Sequence, residues 1–170
     1  MTPTSPSEKV QSYYRDLSTA AINLNQASDE FGRTISTLDE ALLNLNLGVS
    51  AWVTICGNTV TNGDYWSRDI GYAKVRTKWG IALRKTSGNL NYEGENDDVD
   101  EQWLFNDAPR WMRVESIDKI PDLLQKLIKQ ADETTARIKK KMAEAKELAA
   151  AIKEAAAAIK AESKTAAARK

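Results

Sequence analysis

The feature that most constrains this chain is a row of apolar residues near the N-terminus, spaced alternately four and three apart. The row comprises Val10, Tyr14, Leu17, Ala21, Leu24, Ser28, Phe31, Ile35, Leu38, Leu42 and Leu45, of which only Ser28 is polar. Residues spaced in this way lie along one face of an α-helix. The pattern therefore predicts a long amphipathic helix, an N-terminal arm over residues 8–47, which follows a short disordered leader over residues 1–7.

A second row with the same spacing occupies the C-terminal part of the chain. It comprises Leu124, Ile128, Ala131, Thr135, Ile138, Met142, Ala145, Ala149, Ile152, Ala156 and Ile159. Pro121 suits the first turn of a helix, because its missing N–H has no intrahelical acceptor there. We therefore expect a C-terminal arm over residues 121–162. Residues 163–170 have few apolar side chains left to bury, so we expect a frayed tail.

The two rows, over residues 10–45 and 124–159, are equal in length and lie on either side of a single insert. This arrangement predicts an antiparallel coiled-coil helical hairpin with two arms of about five heptads each. Two registers remain open, one that pairs Leu24 with Ala149 and one that pairs Leu24 with Met142. In the alternative arrangement each row pairs with a second copy of the chain, which gives a homodimer through the helical arms.

Between the two arms the helical period disappears, and short segments rich in β-branched and aromatic residues replace it. The segments "VSAWVTIC", "IGYAKV" and "KWGIALRKT" are typical of strands, and the last two are joined closely at Arg76 and Thr77. We expect an antiparallel β-sheet head over residues 48–106, with three or four strands. A short helix over residues 107–119 would pack on this head and point Trp111, Met112 and Val114 inward. The predicted fold class is α+β.

The segment from Tyr72 to Lys85, "YAKVRTKWGIALRK", interleaves aromatic and basic residues, as single-stranded nucleic-acid binders do. Its contact residues would be Tyr72, Lys74, Arg76, Lys78 and Arg84. However, six basic residues and one acid over residues 68–85 are followed by six acids over residues 92–101. In addition, Trp79 alternates in phase with Ile81 and Leu83, which favours a place in the core. Nucleic-acid binding is therefore the alternative function, and the charge balance disfavours it.

The sequence offers few groups for catalysis or for metal binding. It contains no histidine, and its one cysteine, Cys56, lies in an apolar run that is typical of a buried, inert thiol. The acidic stretch over residues 93–101 lacks the glycine and the distal glutamate of a calcium loop. We expect no enzyme activity, no cofactor and no bound metal. A cleft holding Asp97, Asp98 or Asp100 with a metal ion would reverse this expectation.

The resulting functional hypothesis is a non-catalytic scaffold or protein-interaction module, in which a coiled-coil stalk presents the β head to a protein partner. Candidate partner contacts are Tyr65, Trp66 and Trp103, because tryptophan and tyrosine are enriched among interface hot spots. No run of eighteen apolar residues is present, so we expect no membrane span. A single cysteine and the absence of a signal-peptide pattern favour the cytoplasm.

Overall fold

The computed structural model has two long helices and, between them in chain order, a four-stranded sheet. It describes residues 6–60, 63–89 and 98–167 and, among these, the side chains of all but residues 98–100 and 160–167. The helices are α1, Pro6–Asn44, α2, Arg110–Ser116, and α3, Ile120–Ala167. The strands are β1, Ala51–Thr59, β2, Asp64–Val75, β3, Lys78–Asn89, and β4, Asp98–Leu104. Short 3-10 turns at Phe105–Asp107 and Ile117–Lys119 flank α2. The predicted α+β class and small antiparallel sheet are therefore observed.

The sheet is an antiparallel meander in the order β1-β2-β3-β4. Strands β2 and β3 pair over their whole length, from Asp64 with Asn89 to Val75 with Lys78. The two-residue turn predicted at Arg76 and Thr77 is confirmed, with Arg76 at a φ of 55°. Such turns require positive φ values, because their backbone twist then matches the twist of the flanking strands.

The chain divides into two compact units between Leu127 and Ile128. The core of the first unit forms on the sheet face that carries Ile70, Tyr72, Ile81 and Leu83. The helices and the turn after β4 contribute Ile35, Leu42, Phe105, Met112, Leu123 and Leu127 to the same cluster. The Phe31 and Phe105 rings meet edge to face, with centroids 5.6 Å apart. One half of the α1 row is thus part of a sheet-centred core.

The other face of the sheet is built from small residues. Strand alternation places Gly71 and Ala73 of β2 beside Gly80 and Ala82 of β3 on this face. The Trp52 ring lies directly over Gly71, where a Cβ atom would overlap it. The Arg84 guanidinium stacks 4.4 Å from the centre of the Trp52 ring and pairs with Asp69 at 2.9 Å. The Trp52 ring and the Arg84–Asp69 pair therefore cover the part of this face around Gly71.

A half-buried carboxylate attaches α1 to the sheet. Asp39 Oδ1 accepts a hydrogen bond of 2.6 Å from the N–H of Ile81. Gly80 makes room for this contact, since a Cβ there would lie 2.8 Å from Asp39 Oδ2. Burial raises the pKa of Asp39 above its ordinary value, and the hydrogen bond from Ile81 opposes that rise. The contact sets where the C-terminal part of α1 lies on β3.

The second unit is the helical arm of α3 beyond Leu127. Its described apolar side chains are largely exposed, including Ile138, Met142 and Ile152. Ion pairs within the helix, such as Lys141 with Glu144 at 2.6 Å, add a few tenths of a kcal/mol each. Alanine-rich sequence and these pairs favour the helix by themselves.

The predicted antiparallel coiled-coil hairpin is wrong. In α1, Ile35 and Leu42 are buried in the sheet-centred core, whereas Val10, Leu17 and Leu24 are exposed to solvent. The row of the α3 arm is exposed as well, so neither proposed register exists. The physical reason is that heptad spacing specifies an apolar helix face, but a sheet covers such a face as well as another helix does.

The short helix after the sheet was predicted only in part. Met112 is buried, as predicted, whereas the predictions for Trp111 and Val114 are wrong, because both are exposed. A helix of this length buries one narrow stripe, and Met112 and Ser116, four residues apart, occupy it. At the chain ends, residues 1–5 of the predicted leader and residues 168–170 of the predicted tail lie outside the described residues. The α3 backbone is helical as far as Ala167.

Candidate partner-binding surface

An arginine held between two tryptophans forms the first part of the candidate surface. The Arg68 guanidinium lies 4.9 Å from the centre of the Trp66 ring and 4.4 Å from that of the Trp111 ring. Glu115, one turn beyond Trp111 on α2, pairs with Arg68 at 3.5 Å. Both tryptophans keep more than a third of their surface exposed. The group offers apolar area and a fixed charge, the combination enriched at interface hot spots.

An apolar groove lies beside a neighbouring face of α2. Leu24, Ala27 and Phe31 of α1 form one wall, and Val114 with Ile117 forms the other. Its volume is about 560 Å³, and Arg110 and Asp118 lie at its rim. Val114 and Leu24 are exposed, so the groove is open to solvent. Its apolar lining has the composition that an apolar helix face requires.

The exposed half of the α1 row continues from the groove towards the N-terminus. Leu24 is 52% exposed, Leu17 65% and Tyr14 73%. These residues have the same spacing as Ile35 and Leu42, which are buried farther along the same helix. The apolar row is therefore one continuous stripe, of which the sheet covers only the C-terminal part.

Two arginines hold α2 against α1. Arg110 Nε and Arg113 Nη2 both donate to Ser28 Oγ, at 3.3 and 3.0 Å, and Arg110 Nη2 also donates to Asn25 Oδ1. Nearby, Asn106 Nδ2 donates to Ser36 Oγ at 3.0 Å. These bonds between neutral oxygens and charged guanidinium groups set the position of α2 and therefore the shape of the groove.

The structure separates the predicted partner contacts. Trp66 joins the Arg68 group at the surface. Trp103 is half-buried against the core, and Tyr65 is half-buried over Gly88, where a Cβ would lie 2.7 Å from the phenol oxygen. Trp66 is thus the one of the three that lies on the candidate surface.

The residues of the nucleic-acid alternative are also dispersed. Tyr72 is 2% exposed and stacks against Trp79, with ring centroids 5.6 Å apart. Its pKa is raised by burial and by the nearby charge of Asp39. Arg84 pairs with Asp69, while Lys74, Arg76 and Lys78 are exposed at and beside the β2–β3 turn. A buried Tyr72 cannot stack on a base, so the geometry does not favour this alternative.

Candidate groups for chemistry are few in the part of the chain that the structure describes. There, no group of three or more His, Cys, Asp or Glu residues could hold a metal ion. Asp97 and most of the acidic stretch over residues 93–101 lie outside the described residues, as do the side chains of Asp98 and Asp100. Cys56 is a free, half-buried thiol 3.9 Å from Arg68 Nη1. Among the described helices, none has the length and apolar character needed to span a membrane.

Sequence reasoning missed the contact of Arg68 with Trp111 and the hydrogen bonds that Arg110 and Arg113 donate to Ser28. These partners are separated by 43 to 85 positions in sequence, so no local pattern connects them. The one local signal in the sequence is the spacing of four residues between Trp111 and Glu115, which places both on one side of a helix.

Comparisons of the chain with protein-family models, with curated proteins and with solved structures found no match. The function is therefore inferred from the chemistry of these surfaces. The relevant features are the open apolar row, the groove that continues it and the aromatic group beside α2.

Proposed function

We propose that this chain is a non-catalytic protein-interaction module whose first unit docks an amphipathic helix of a partner protein. The docked helix would lie along the exposed part of the α1 row, at Tyr14, Leu17 and Leu24, and enter the groove beside α2. We also propose that the chain acts in the cytoplasm, where the free thiol of Cys56 would stay reduced.

The observation that supports this proposal most directly is the exposure of Leu17 and Leu24 in a row whose continuation is packed. Exposed apolar stripes of this length are uncommon on soluble domains and mark interaction sites. Fully burying one leucine contributes about 1.5–3 kcal/mol, so three or four such residues could support a stable complex.

A helix is the occupant that fits the spacing. Residues that alternate three and four apart form a straight seam along α1, and a second helix with the same spacing places side chains between them. The charged residues beside the exposed seam are Glu8, Lys9, Arg15 and Asp16, two of each sign. Binding should therefore depend on apolar contact and change little with salt.

Photo-crosslinking in the native cell tests the proposal. A photoreactive phenylalanine placed at Leu24, and the same group placed at Thr19 on the opposite side of α1, provide a matched pair. We expect the Leu24 probe to attach to a protein segment with apolar residues at helical spacing, located by mass spectrometry, and the Thr19 probe not to attach there.

Substitution of a glutamate on α1 gives a second test of the same docking. Leu17→Glu should abolish the Leu24 crosslink, while Thr19→Glu should leave it unchanged. A Leu24 probe that attaches to a second copy of this chain, or to segments without an apolar row, would contradict docking of a partner helix.

We propose a second copy of the chain as the partner of the α3 arm, a role distinct from docking on α1. The exposed row from Ile128 to Ile159 can pair with the same row of a second copy in an antiparallel arrangement. In this register Ile128 of one copy faces Ile159 of the other. Met142 would then face Ala145 of the second copy, and Ile138 would face Ala149 of the second copy. Large side chains opposite small ones pack without voids.

Charge favours the antiparallel orientation of this pair. Residues 128–143 carry five basic and two acidic residues, whereas residues 144–159 carry two basic and three acidic ones. An antiparallel pair sets the basic half of each arm against the acidic half of the other, while a parallel pair sets the two basic halves together. Exposed pairs of this kind contribute little stability each, but they determine orientation.

Disulfide trapping separates the two orientations. In a Cys56→Ser background, mixed Ile128→Cys and Ile159→Cys chains should form the heterodimeric disulfide, and neither chain should crosslink with itself. Ile138→Glu should give a monomer by sedimentation equilibrium, whereas Ala150→Glu, off the row, should not. A wild-type chain that is monomeric at millimolar concentration would refute the pairing.

A further inference from the structure

We infer that a polar pocket between α1, α2 and the turn after β4 is a binding site for an oxyanion, a phosphate or carboxylate group. The pocket has a volume of about 480 Å³. Its lining residues are Ser28, Asp29, Gly32, Arg33, Ser36, Asn106, Arg110 and Arg113. Three guanidinium groups thus meet in one pocket against a single carboxylate.

The three arginines have no acidic partner among the described residues. The ion pairs of that part of the chain involve Arg68, Arg84 and three lysines, but not Arg33, Arg110 or Arg113. Arg110 and Arg113 donate instead to the neutral oxygens of Ser28 and Asn25. Among the described residues these guanidinium groups therefore form no ion pair, and Asp29 is the one carboxylate in the pocket lining.

Arg113 shows where an acceptor is lacking. Its Nε atom is buried and has no hydrogen-bond partner, although its Nη2 donates to Ser28 Oγ. A buried N–H of a charged group without an acceptor is costly, and proteins retain few of them away from functional sites. An oxyanion in the pocket would accept from the guanidinium group of Arg113, whose one acceptor among the described residues is the neutral oxygen of Ser28.

Planar guanidinium groups match the geometry of carboxylate and phosphate oxygens, to which they donate two parallel hydrogen bonds. The neutral donors at the pocket wall already have acceptors, since Asn106 Nδ2 donates to Ser36 Oγ and Ser36 Oγ donates to the Gly32 carbonyl, so the guanidinium groups would hold the anion. The site goes beyond the proposed docking function, although it shares Ser28 and Arg110 with the apolar groove. The oxyanion could thus be a free phosphate or a carboxylate side chain of a docked partner.

An NMR titration of the full chain tests the site through the Nε–H signals of the arginines. We expect inorganic phosphate, acetate or both to shift the Arg113 signal in a saturable manner, with chloride at equal ionic strength as the reference. A response to phosphate identifies the free anion as ligand, and a response to acetate alone identifies a carboxylate. Either response supports the site.

Substitution at the exposed Arg33 separates binding from folding. Arg33→Gln should weaken the anion affinity about tenfold, the loss expected for one charge-assisted hydrogen bond. Arg15→Gln, which removes the same charge elsewhere on α1, should leave the affinity unchanged. The site is refuted if no anion shifts the Arg113 signal, if chloride shifts it equally, or if Arg15→Gln and Arg33→Gln weaken binding alike.

Discussion

The two halves of the α1 apolar row have the same spacing and opposite environments. Ile35 and Leu42 are buried with the sheet and the first turns of α3, while Tyr14, Leu17 and Leu24 of the same stripe face solvent. Both halves carry large apolar side chains, so composition does not distinguish them. What differs is packing: the sheet and the start of α3 pack on the C-terminal half, whereas the N-terminal half is exposed.

This contrast shows what an apolar period specifies. It requires a helix and one face, but the covering element depends on contacts between residues distant in sequence, such as Ile35 with the sheet core. The covered half therefore supports the fold, and the open half is free to serve binding. The following substitutions test that division, in order of decreasing effect on stability.

Matched leucine truncations should show the largest difference between the halves. Leu42→Ala should lower the free energy of unfolding by about 2–5 kcal/mol, because it leaves a cavity in the core. Leu17→Ala should change it by less than about 0.5 kcal/mol, because that side chain is already exposed. Urea unfolding measures both, and comparable losses would mean that the N-terminal half is covered as well.

Asp39 tests how the packed half is held on the sheet. Asp39→Ala should lower the free energy of unfolding by about 1–3 kcal/mol, since the N–H of Ile81 then lacks its acceptor. Asp39→Asn keeps an oxygen acceptor and should lose much less. If the two variants are equally destabilised in chemical unfolding, the hydrogen bond is not what holds α1 there.

The Arg68 group tests a surface contact that sequence did not indicate. Arg68→Ala should cost about 1–2 kcal/mol, because it removes two cation–π contacts of about 0.5–1 kcal/mol each. Lys74→Ala, an exposed cation on the same strand, should cost less than about 0.5 kcal/mol. If the two variants have the same unfolding temperature, the contacts of Arg68 with the two tryptophans do not stabilise the fold.

The pH dependence of stability should show the smallest effect. Because burial raises the pKa of Asp39, the folded chain holds that proton more tightly than the unfolded chain does. Stability from this group is therefore complete below the ordinary pKa of 3.8 and is lost as the pH rises through the folded pKa. Wild type should therefore lose stability relative to Asp39→Asn as the pH rises above 3.8. A constant difference in unfolding free energy would refute the raised pKa.

Much of the local structure could be predicted from sequence, because local patterns encode it. The row from Val10 to Leu45 indicates a helix, and the β-branched runs around Arg76 and Thr77 indicate a hairpin. Trp79 alternates in phase with Ile81 and Leu83, and it does pack against the core. Each of these inferences uses residues close together in the chain.

The candidate surface could not be predicted, because it depends on long-range contacts. Two apolar rows of equal length suggested that each covers the other, although the sheet already covers Leu42. Similarly, Trp111 looked like a core residue until the structure placed it over Arg68. A sequence pattern shows which side chains need covering, but not which distant segment covers them.

Hydrogen exchange along α1 in the free chain tests the central claim most directly. We predict that amides of residues 31–42 exchange near the global unfolding rate, and that those of residues 10–24 exchange on the order of a hundredfold faster, because no tertiary contact holds them. Equal protection of both segments at low concentration would contradict the account. It would show that the N-terminal half of the row is already covered.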